Sequence, residues 1–465
     1  MTEGRVESLL WAPRAWVGGR WREGVVLRVG SDGCWADVSC DVHAAPPGAT
    51  VLAGPVLPSL VNAHSHAFQR AFAGLAERRE SDSDDFWSWR DRMYGVALRI
   101  TAPQLRAIAA QLFVELLQGG YTQVCEFHYL QHQPDGCVYA DRAELSWALA
   151  DAAEDAGIGL TILPVLYERA GFSQPALRDD QRRFATTPES VHALAHSINA
   201  SRRPNLSAGV AIHSLRAASP EAIQDLLTRV GMEDLPLHIH VAEQTREVDE
   251  CVAATGLRPI EWLAHHGALD PRWQLIHATH TSAREIDSVA RSGAGIVICP
   301  STEANLGDGL PDLPAWLGAD VLIALGSDSQ VTRNWPEELR WLEYGQRLML
   351  RRRNVAALPE HGEPSTAACL FNLSKGAGAA AAGQARWGLE RGARADALVL
   401  DARAPGLLGI PAEQTLDALI FSADSRAIAT VYVAGVAKVA DGQHLGGAGV
   451  AQRFEAAMRE LWAVS

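Results

Sequence analysis

Residues 58–66 read Pro58-Ser59-Leu60-Val61-Asn62-Ala63-His64-Ser65-His66. An apolar run ends in two histidines spaced i, i+2. In a β-strand that spacing points both imidazoles to the same side. Two neutral nitrogens delivered to one point at a strand's C-terminal end make half of a metal site. Histidines that merely finish an ordinary strand would look the same, so the rest of the chain has to decide.

Outward from this stretch, strand-like apolar runs recur. The first lies near 56–62, and others follow near 121–129, 158–168, 206–212, 235–242, 273–280, 294–300 and 321–327. Helices fall between several of them. Thr101 can cap a helix over 103–118, where Leu105, Ile108, Leu112, Phe113 and Leu116 keep helical spacing and Gly119-Gly120 ends it. Ser282 with Glu285 makes a capping-box pattern that opens a helix ending at Gly293. Strands alternating with helices in this number predict an α/β fold, a TIM-type (β/α)8 barrel over residues 58–385. A doubly wound open sheet shares the alternation, but no G-x-G-x-x-G follows the first strand, which speaks against a dinucleotide site.

The two ends read differently. Residues 1–57 carry turn signals at Val17-Gly18-Gly19 and Ser31-Asp32-Gly33 among short strand-like runs. Residues 386–465 repeat that pattern at Gly392–Asp401 and Thr430–Gly435. Together they predict one small β-rich domain built from both termini, finished by a terminal helix.

The composition sets limits on function. The chain has 465 residues, 48% hydrophobic and 21% charged, with a formal net charge of -14. That charge argues against nucleic acid as a partner. No apolar run reaches the ~18 residues of a membrane span, and Met1-Thr2-Glu3-Gly4-Arg5 opens no signal-peptide pattern. The seven cysteines form no C-x-x-C pair and read as reduced thiols in a cytoplasmic protein. Lys375 and Lys438 are the only lysines, so arginine carries nearly all positive charge.

Chemistry on a barrel belongs at the C-terminal ends of its strands. The first strand ends in His64 and His66. The fifth carries His238 and His240 and is followed by Glu243. The sixth carries His277, and the eighth ends at Asp328. One such histidine would be ordinary packing; four strands ending this way point to a metal. His238, one layer deeper than His240, reads as a core residue.

This set of H-x-H, H-x-x-E, H and D, in that order and on those strands, resembles the amidohydrolase superfamily across the barrel and the split β domain. The absence of lysine from the barrel strands excludes the carboxylated-lysine bridge of two-metal members, leaving similarity to the mononuclear deaminase branch. The resemblance implies one Zn2+ per chain held by His64, His66, His240 and Asp328, with Glu243 and His277 acting on water and substrate.

Longer motifs narrow the resemblance. His64-Ser65-His66-Ala67-Phe68-Gln69-Arg70, Phe86–Tyr94, Glu126-Phe127-His128-Tyr129 and His213-Ser214-Leu215-Arg216 are similar to the N-formimino-L-glutamate deiminases of histidine breakdown. That likeness implies substrate-binding roles for Gln69, Arg90, Tyr129, His213 and Arg216. It also implies a cytoplasmic homodimer acting on a small dicarboxylate. The residues agree independently, since arginine presents a planar fork suited to carboxylates. Arg90 could instead be a surface residue of a Trp-rich helix, and Arg216 a structural ion pair. Two other functions remain open from the residues alone. One is an aminohydrolase of a purine or other heterocycle on the same barrel, and the other a non-catalytic barrel relative. The segment Cys299–Gly307 is expected to shape the pocket or to satisfy a turn, Trp87 and Trp89 to pack or to close a lid, and Arg351-Arg352-Arg353 to form a solvated helix face.

Overall fold

The computed structural model describes residues 7–78, 85–267 and 269–463. Its centre is a parallel sheet of eight strands in chain order: β1 (Leu60–Ser65), β2 (Tyr121–His128), β3 (Gly159–Leu166), β4 (Val210–Ile212), β5 (Leu237–Val241), β6 (Trp273–His277), β7 (Gly295–Ile298) and β8 (Ile323–Leu325). Leu206–Ala208 adds a short parallel strand beside β3.

The ring closes at the last strand's end. Asp328 N–H donates to His64 O at 3.0 Å, and His66 N–H donates to Asp328 O at 3.2 Å. Closure therefore sets Asp328 beside the two histidines of β1. Two further features permit it. Asn62 exchanges hydrogen bonds with Ser327, Nδ2 to Oγ at 2.6 Å and Oδ1 from the backbone N–H at 2.9 Å. Gly326 has no side chain, and a Cβ there would fall 2.7 Å from His64 Cβ.

The helices form where their end signals stand. Thr101 and Gln104 make a reciprocal capping box at the start of Ala102–Gln118. Ser282 and Glu285 do the same for Ala283–Ser292, which stops at Gly293 in the left-handed conformation. Two boundaries differ from the sequence reading. Val56–Leu57 pairs with the terminal sheet, so the barrel strand begins only at Leu60. The run 206–212 is broken at Gly209, where a Cβ would fall 2.5 Å from Pro236 O.

The second sheet interleaves both termini. Val56–Leu57 lies between Ser8–Val17, its parallel neighbour, and Ala397–Leu400, its antiparallel one. The hairpin Ser8–Val17/Arg20–Val29 turns at Gly18 and Gly19, both at positive φ, as a tight two-residue turn demands. This sheet buries its own small core, including Leu27, Trp35 and Val399. It docks on the start of β2 through Thr122 Oγ1 to Asp396 (2.6 Å) and Arg394 to Gln123 (2.8 Å). Those contacts lie at the N-terminal ends of the strands, so the C-terminal mouth stays open for a site. The helix Gly447–Trp462 finishes the chain. Arg351–Arg353 are exposed but lie just past the helix Trp335–Leu350 rather than on its face.

Candidate metal centre and substrate pocket

Four side-chain donors converge at the barrel mouth. His64 Nε2 lies 3.0 Å from His240 Nε2 and 3.4 Å from Asp328 Oδ1, and the same Oδ1 is 3.4 Å from His66 Nε2. All four residues are buried. His66 directs Nδ1 to Phe127 O, and His240 directs Nδ1 to His213 O, each at 3.0 Å. With those protons held by carbonyls, both Nε2 atoms present lone pairs. Burial lowers His64 to about 3 and lowers His66 and His240 as well, so the imidazoles are neutral. Burial alone would raise Asp328, but the hydrogen bond to His64 and the surrounding histidines hold it well below the carboxylate range. Three neutral imidazoles and a carboxylate are acceptors that share at most one proton, on His64. One cation satisfies all four, and N/O donors of this kind suit a divalent transition ion.

Beside this cluster, His277 Nε2 lies 3.6 Å from Glu243 Oε1 and 3.9 Å from Asp328 Oδ2, while its Nδ1 faces Glu303 at 3.3 Å. Burial opposes charge on His277, yet Glu243, Glu303 and Asp328 together raise it to about 10. Burial raises Glu243 to about 7, with His277 opposing. His277 is thus the more basic of the two, and a proton shared by the pair rests on the imidazole.

The backbone here departs from its usual conformations. Ala242, His277, Ala278, Asp328 and Gln330 all have positive φ without being glycine. Such conformations cost free energy and persist only where surrounding bonds enforce them. Glu247 supplies one such enforcement, accepting from the N–H groups of Ala242 and Glu243 at 3.2 Å each. Gln330 supplies another, donating from Nε2 to Asp328 O at 2.6 Å and to Ser65 Oγ at 3.1 Å.

A cavity of about 50 Å³ opens above the cluster. Gln69, Arg90, Tyr129, His213 and Arg216 line it together with His66, His240, Glu243, His277 and Asp328. His64 is fully buried and does not line it. Wider depressions exist, including one of about 430 Å³ lined by Gln131, Arg142 and Ser190, but it contains none of the converging donors. The chemistry, not the volume, marks the smaller one as the site.

Its wall holds two guanidiniums. The helix Phe86–Ala97, capped by Asp85, carries Trp87 and Arg90. The Trp87 ring is approached by Arg90 at 4.7 Å and Arg216 at 5.0 Å. Arg90 pairs with exposed Asp91 at 3.3 Å, but its buried Nε has no partner among the described residues. Arg216 is buried and forms no ion pair among the described residues, so it is not a structural salt bridge there. Gln69 Nε2 donates to Tyr129 Oη at 3.2 Å, which leaves Gln69 Oε1 buried and unpaired. Burial and the nearby Arg216 push His213 well below its ordinary value.

A model of the amidohydrolase family matches residues 56–438. The chain belongs to the amidohydrolase family. It is 44% identical over 455 residues to a formimidoylglutamate deiminase from Pseudomonas aeruginosa, covering 98% of this chain and 99% of that one. It is 27% identical to a 5-methylthioadenosine/S-adenosylhomocysteine deaminase from Natronomonas pharaonis, over 76% of this chain and 74% of that one. The crystal structure of an amidohydrolase from Brucella melitensis superposes with a TM-score of 0.91 at 40% identity, covering 98% and 99% of the two chains. An adenosine deaminase from Xanthomonas campestris with bound zinc shares the fold, with a TM-score of 0.80 at 21% identity over 98% and 99%.

Membership accounts for the barrel, the sheet from the termini and a metal-dependent hydrolytic chemistry. It leaves several supporting groups to which the sequence reading assigned no role of their own, although Glu303 and Glu126 stand in stretches singled out there. Glu303, in the segment after β7, accepts from Cys299 N–H at 2.9 Å and faces His277. Glu126 accepts from Ala67 N–H at 2.6 Å and so fixes the turn after His66. Glu247 lies four residues beyond Glu243, a spacing that could have marked it. Trp87 packs on arginines, and Trp89 lines the cavity. His238 directs Nε2 to Ala381 O at 2.9 Å, away from the cluster, as a core residue should.

Proposed function

We propose that this chain hydrolyses N-formimino-L-glutamate to N-formyl-L-glutamate and ammonia, with one Zn2+ held by His64, His66, His240 and Asp328. The observation that carries the reading is the pair of guanidiniums, Arg90 and Arg216, on the wall of the cavity whose floor is the donor cluster. A dicarboxylate needs such partners, and a purine does not. The named relative at 44% identity supports the same substrate.

When bound, Zn2+ supplies Lewis acidity that brings the pKa of water from 15.7 to about 7. The two lysines stand on the helix Thr366–Ala381 and on a strand of the terminal sheet, which supports a single ion rather than a lysine-bridged pair. The remaining work falls to side chains. Arg90 and Arg216 hold the two carboxylates. Gln69, Tyr129 and His213 orient the chain that carries the formimino group. That group is an amidine, cationic at neutral pH, and the carboxylates of Glu243 and Asp328 give it a negative setting. Glu243 takes a proton from the attacking water and returns it to the terminal nitrogen as the C–N bond breaks. His277, cationic beside Glu243 and Glu303, donates a hydrogen bond to the oxygen that develops charge. Water's oxygen stays on the formyl carbon, its second proton follows the first to the departing nitrogen, and the amidine's charge leaves with it: cationic amidine and water give the neutral formyl amide and ammonium.

No helix among the described residues is long and apolar enough to cross a membrane. A cytoplasmic location is part of the proposal. So is a homodimer, for which exposed Trp341, Tyr344, Leu348 and Met349 on one helix supply an apolar surface. Ammonia release tests the substrate. N-formimino-L-glutamate should be turned over, and 5′-methylthioadenosine and S-adenosylhomocysteine should not. Preference for either nucleoside would overturn the substrate assignment and leave the hydrolase intact.

A further inference from the structure

A second set of metal-type donors lies outside the pocket. The helix Pro188–Ala200 falls between β3 and β4 in the chain. It carries His192 and His196 at i, i+4, on one face. Their ring centroids are 4.3 Å apart. Glu233 approaches them from the segment between the helix Pro220–Val230 and β5. His192 Nε2 lies 3.1 Å from His196 Nε2 and 3.2 Å from Glu233 Oε1. His196 Nε2 lies 3.1 Å from the same oxygen and 3.0 Å from Oε2.

Protons satisfy the nitrogen–oxygen contacts of this triangle but not the nitrogen–nitrogen one. Each Nε2 carries at most one hydrogen in a neutral imidazole. If both carry one, both can donate to Glu233, but the two N–H groups then face each other at 3.1 Å. If only one carries a hydrogen, that single proton must serve two acceptors, and the other nitrogen's lone pair faces the carboxylate. A cation satisfies all three contacts at once. The spacing also fits. Tetrahedral Zn2+ with ligand bonds of about 2.0–2.1 Å has ligand–ligand edges of about 3.3 Å.

The donors are held from outside the triangle. Arg272 Nη1 donates to Gly231 O and Glu233 O, both at 2.9 Å, and Arg272 is itself paired with Asp270 at 2.6 Å. Glu233 N–H donates to Val230 O at 3.0 Å. The glutamate's backbone is therefore fixed before any ion arrives. Its side chain is 37% exposed and that of His196 52%, so solvent can reach the remaining coordination positions.

We propose that His192, His196 and Glu233 bind a second divalent transition ion of the Zn2+ class. Bound there, the ion clips the helix Pro188–Ala200 to the lead-in of β5. Two imidazoles and a carboxylate favour Zn2+, Ni2+ or Cu2+ over Mg2+ or Ca2+. The site is structural, and turnover does not depend on it.

The test titrates Zn2+ into the holoenzyme against a chromophoric chelator, for wild type and for His192→Ala/His196→Ala. Wild type should take up one Zn2+ more than the double variant. The extra ion should raise the melting temperature of wild type alone, and kcat should be the same in both proteins. Glu233→Gln should weaken the extra ion by roughly tenfold or more, since it removes a ligand rather than a supporting contact. In a Zn2+-soaked crystal, anomalous scattering should place the ion between the three side chains. Equal uptake by wild type and the double variant would overturn the proposal, as would an anomalous peak anywhere else on the surface. The comparison holds whatever metal the pocket carries, because the result is a difference between two proteins.

Discussion

The floor and the wall of the pocket are built by different means. The floor comes from strand ends. His64, His66, His240, His277 and Asp328 project from β1, β5, β6 and the end of β8, and barrel closure alone brings them together. The wall comes from connecting segments. Arg90 and Trp87 ride on the helix Phe86–Ala97 after β1, and Arg216 follows β4. Backbone pairing between neighbouring strands fixes the floor. The wall is held by ring contacts of 4.7–5.0 Å between guanidinium and indole. A rigid floor suits chemistry common to a family, and a wall on connecting segments suits choice of substrate.

Substitutions should divide along the same line, with the largest effects on the floor. Asp328→Ala removes a donor of the cluster and is expected to lose metal and activity together. Glu243→Gln should keep the metal and lose turnover by roughly 10²–10⁴-fold, the scale of acid–base catalysis. Zinc content by elemental analysis, set beside kcat, separates the two. Full metal in an inactive Asp328→Ala would remove that residue from the ligand set. A Glu243→Gln enzyme within a few-fold of wild type would end the proton-transfer role.

The wall should respond with intact metal. If Arg90 and Arg216 hold the substrate's carboxylates as proposed, Arg90→Met and Arg216→Met should each remove a charge-assisted contact, costing about 2–5 kcal/mol. That is on the order of 30- to several-thousand-fold in kcat/KM. A formimino compound lacking one carboxylate should suffer less from loss of the arginine that would have held it. Unchanged dicarboxylate kinetics in both variants would break the distinction between floor and wall.

Trp87→Leu should act more mildly on the same wall. It removes the ring between Arg90 and Arg216, a cation–π contact worth about 0.5–2 kcal/mol. KM is expected to rise by about 2- to 30-fold with kcat nearly steady. A fall in kcat without a change in KM would instead make Trp87 part of a closing element.

The same division decides which residues are legible in the sequence. His64-Ser65-His66 and the strand-end residues His240, His277 and Asp328 are legible because side-chain alternation in a strand and strand order in a barrel are regular. Glu303, Glu126 and Glu247 are harder to see. Each acts through a backbone N–H or a histidine held by a different turn, and no periodicity records such a contact. Arg90 and Arg216 are legible mainly through motif resemblance, with the guanidinium's fit to carboxylates a weaker independent sign, because their meeting at Trp87 depends on where two separate segments pack. The start of β1 is hidden for a similar reason. Val56 and Leu57 have the apolar character of a barrel strand, but tertiary pairing gives them to the terminal sheet.

The smallest expected effect concerns stability near the floor. His128 ends β2 and is buried, with Nε2 unpaired among the described residues. Burial, with Arg183 nearby, lowers it from 6.5 to about 3. The folded protein therefore keeps His128 neutral at pH values where the unfolded chain would protonate it. The sign follows from that difference. Above pH 6.5 neither state binds the proton, and the histidine adds no pH dependence. Below 6.5 the unfolded state gains a proton that the folded state refuses, so stability falls as pH falls, down to about pH 3. The loss approaches about 1.4 kcal/mol per pH unit for one such group. His128→Gln should remove this share of the slope and leave the slopes of the other buried histidines in place. Urea unfolding of metal-free protein at pH 6.5 and 5.5 measures it, with wild type losing about 1 kcal/mol more than the variant. Equal losses would mean that His128 is solvated or paired in the folded state, and that the dry interior of the barrel does not reach the end of β2.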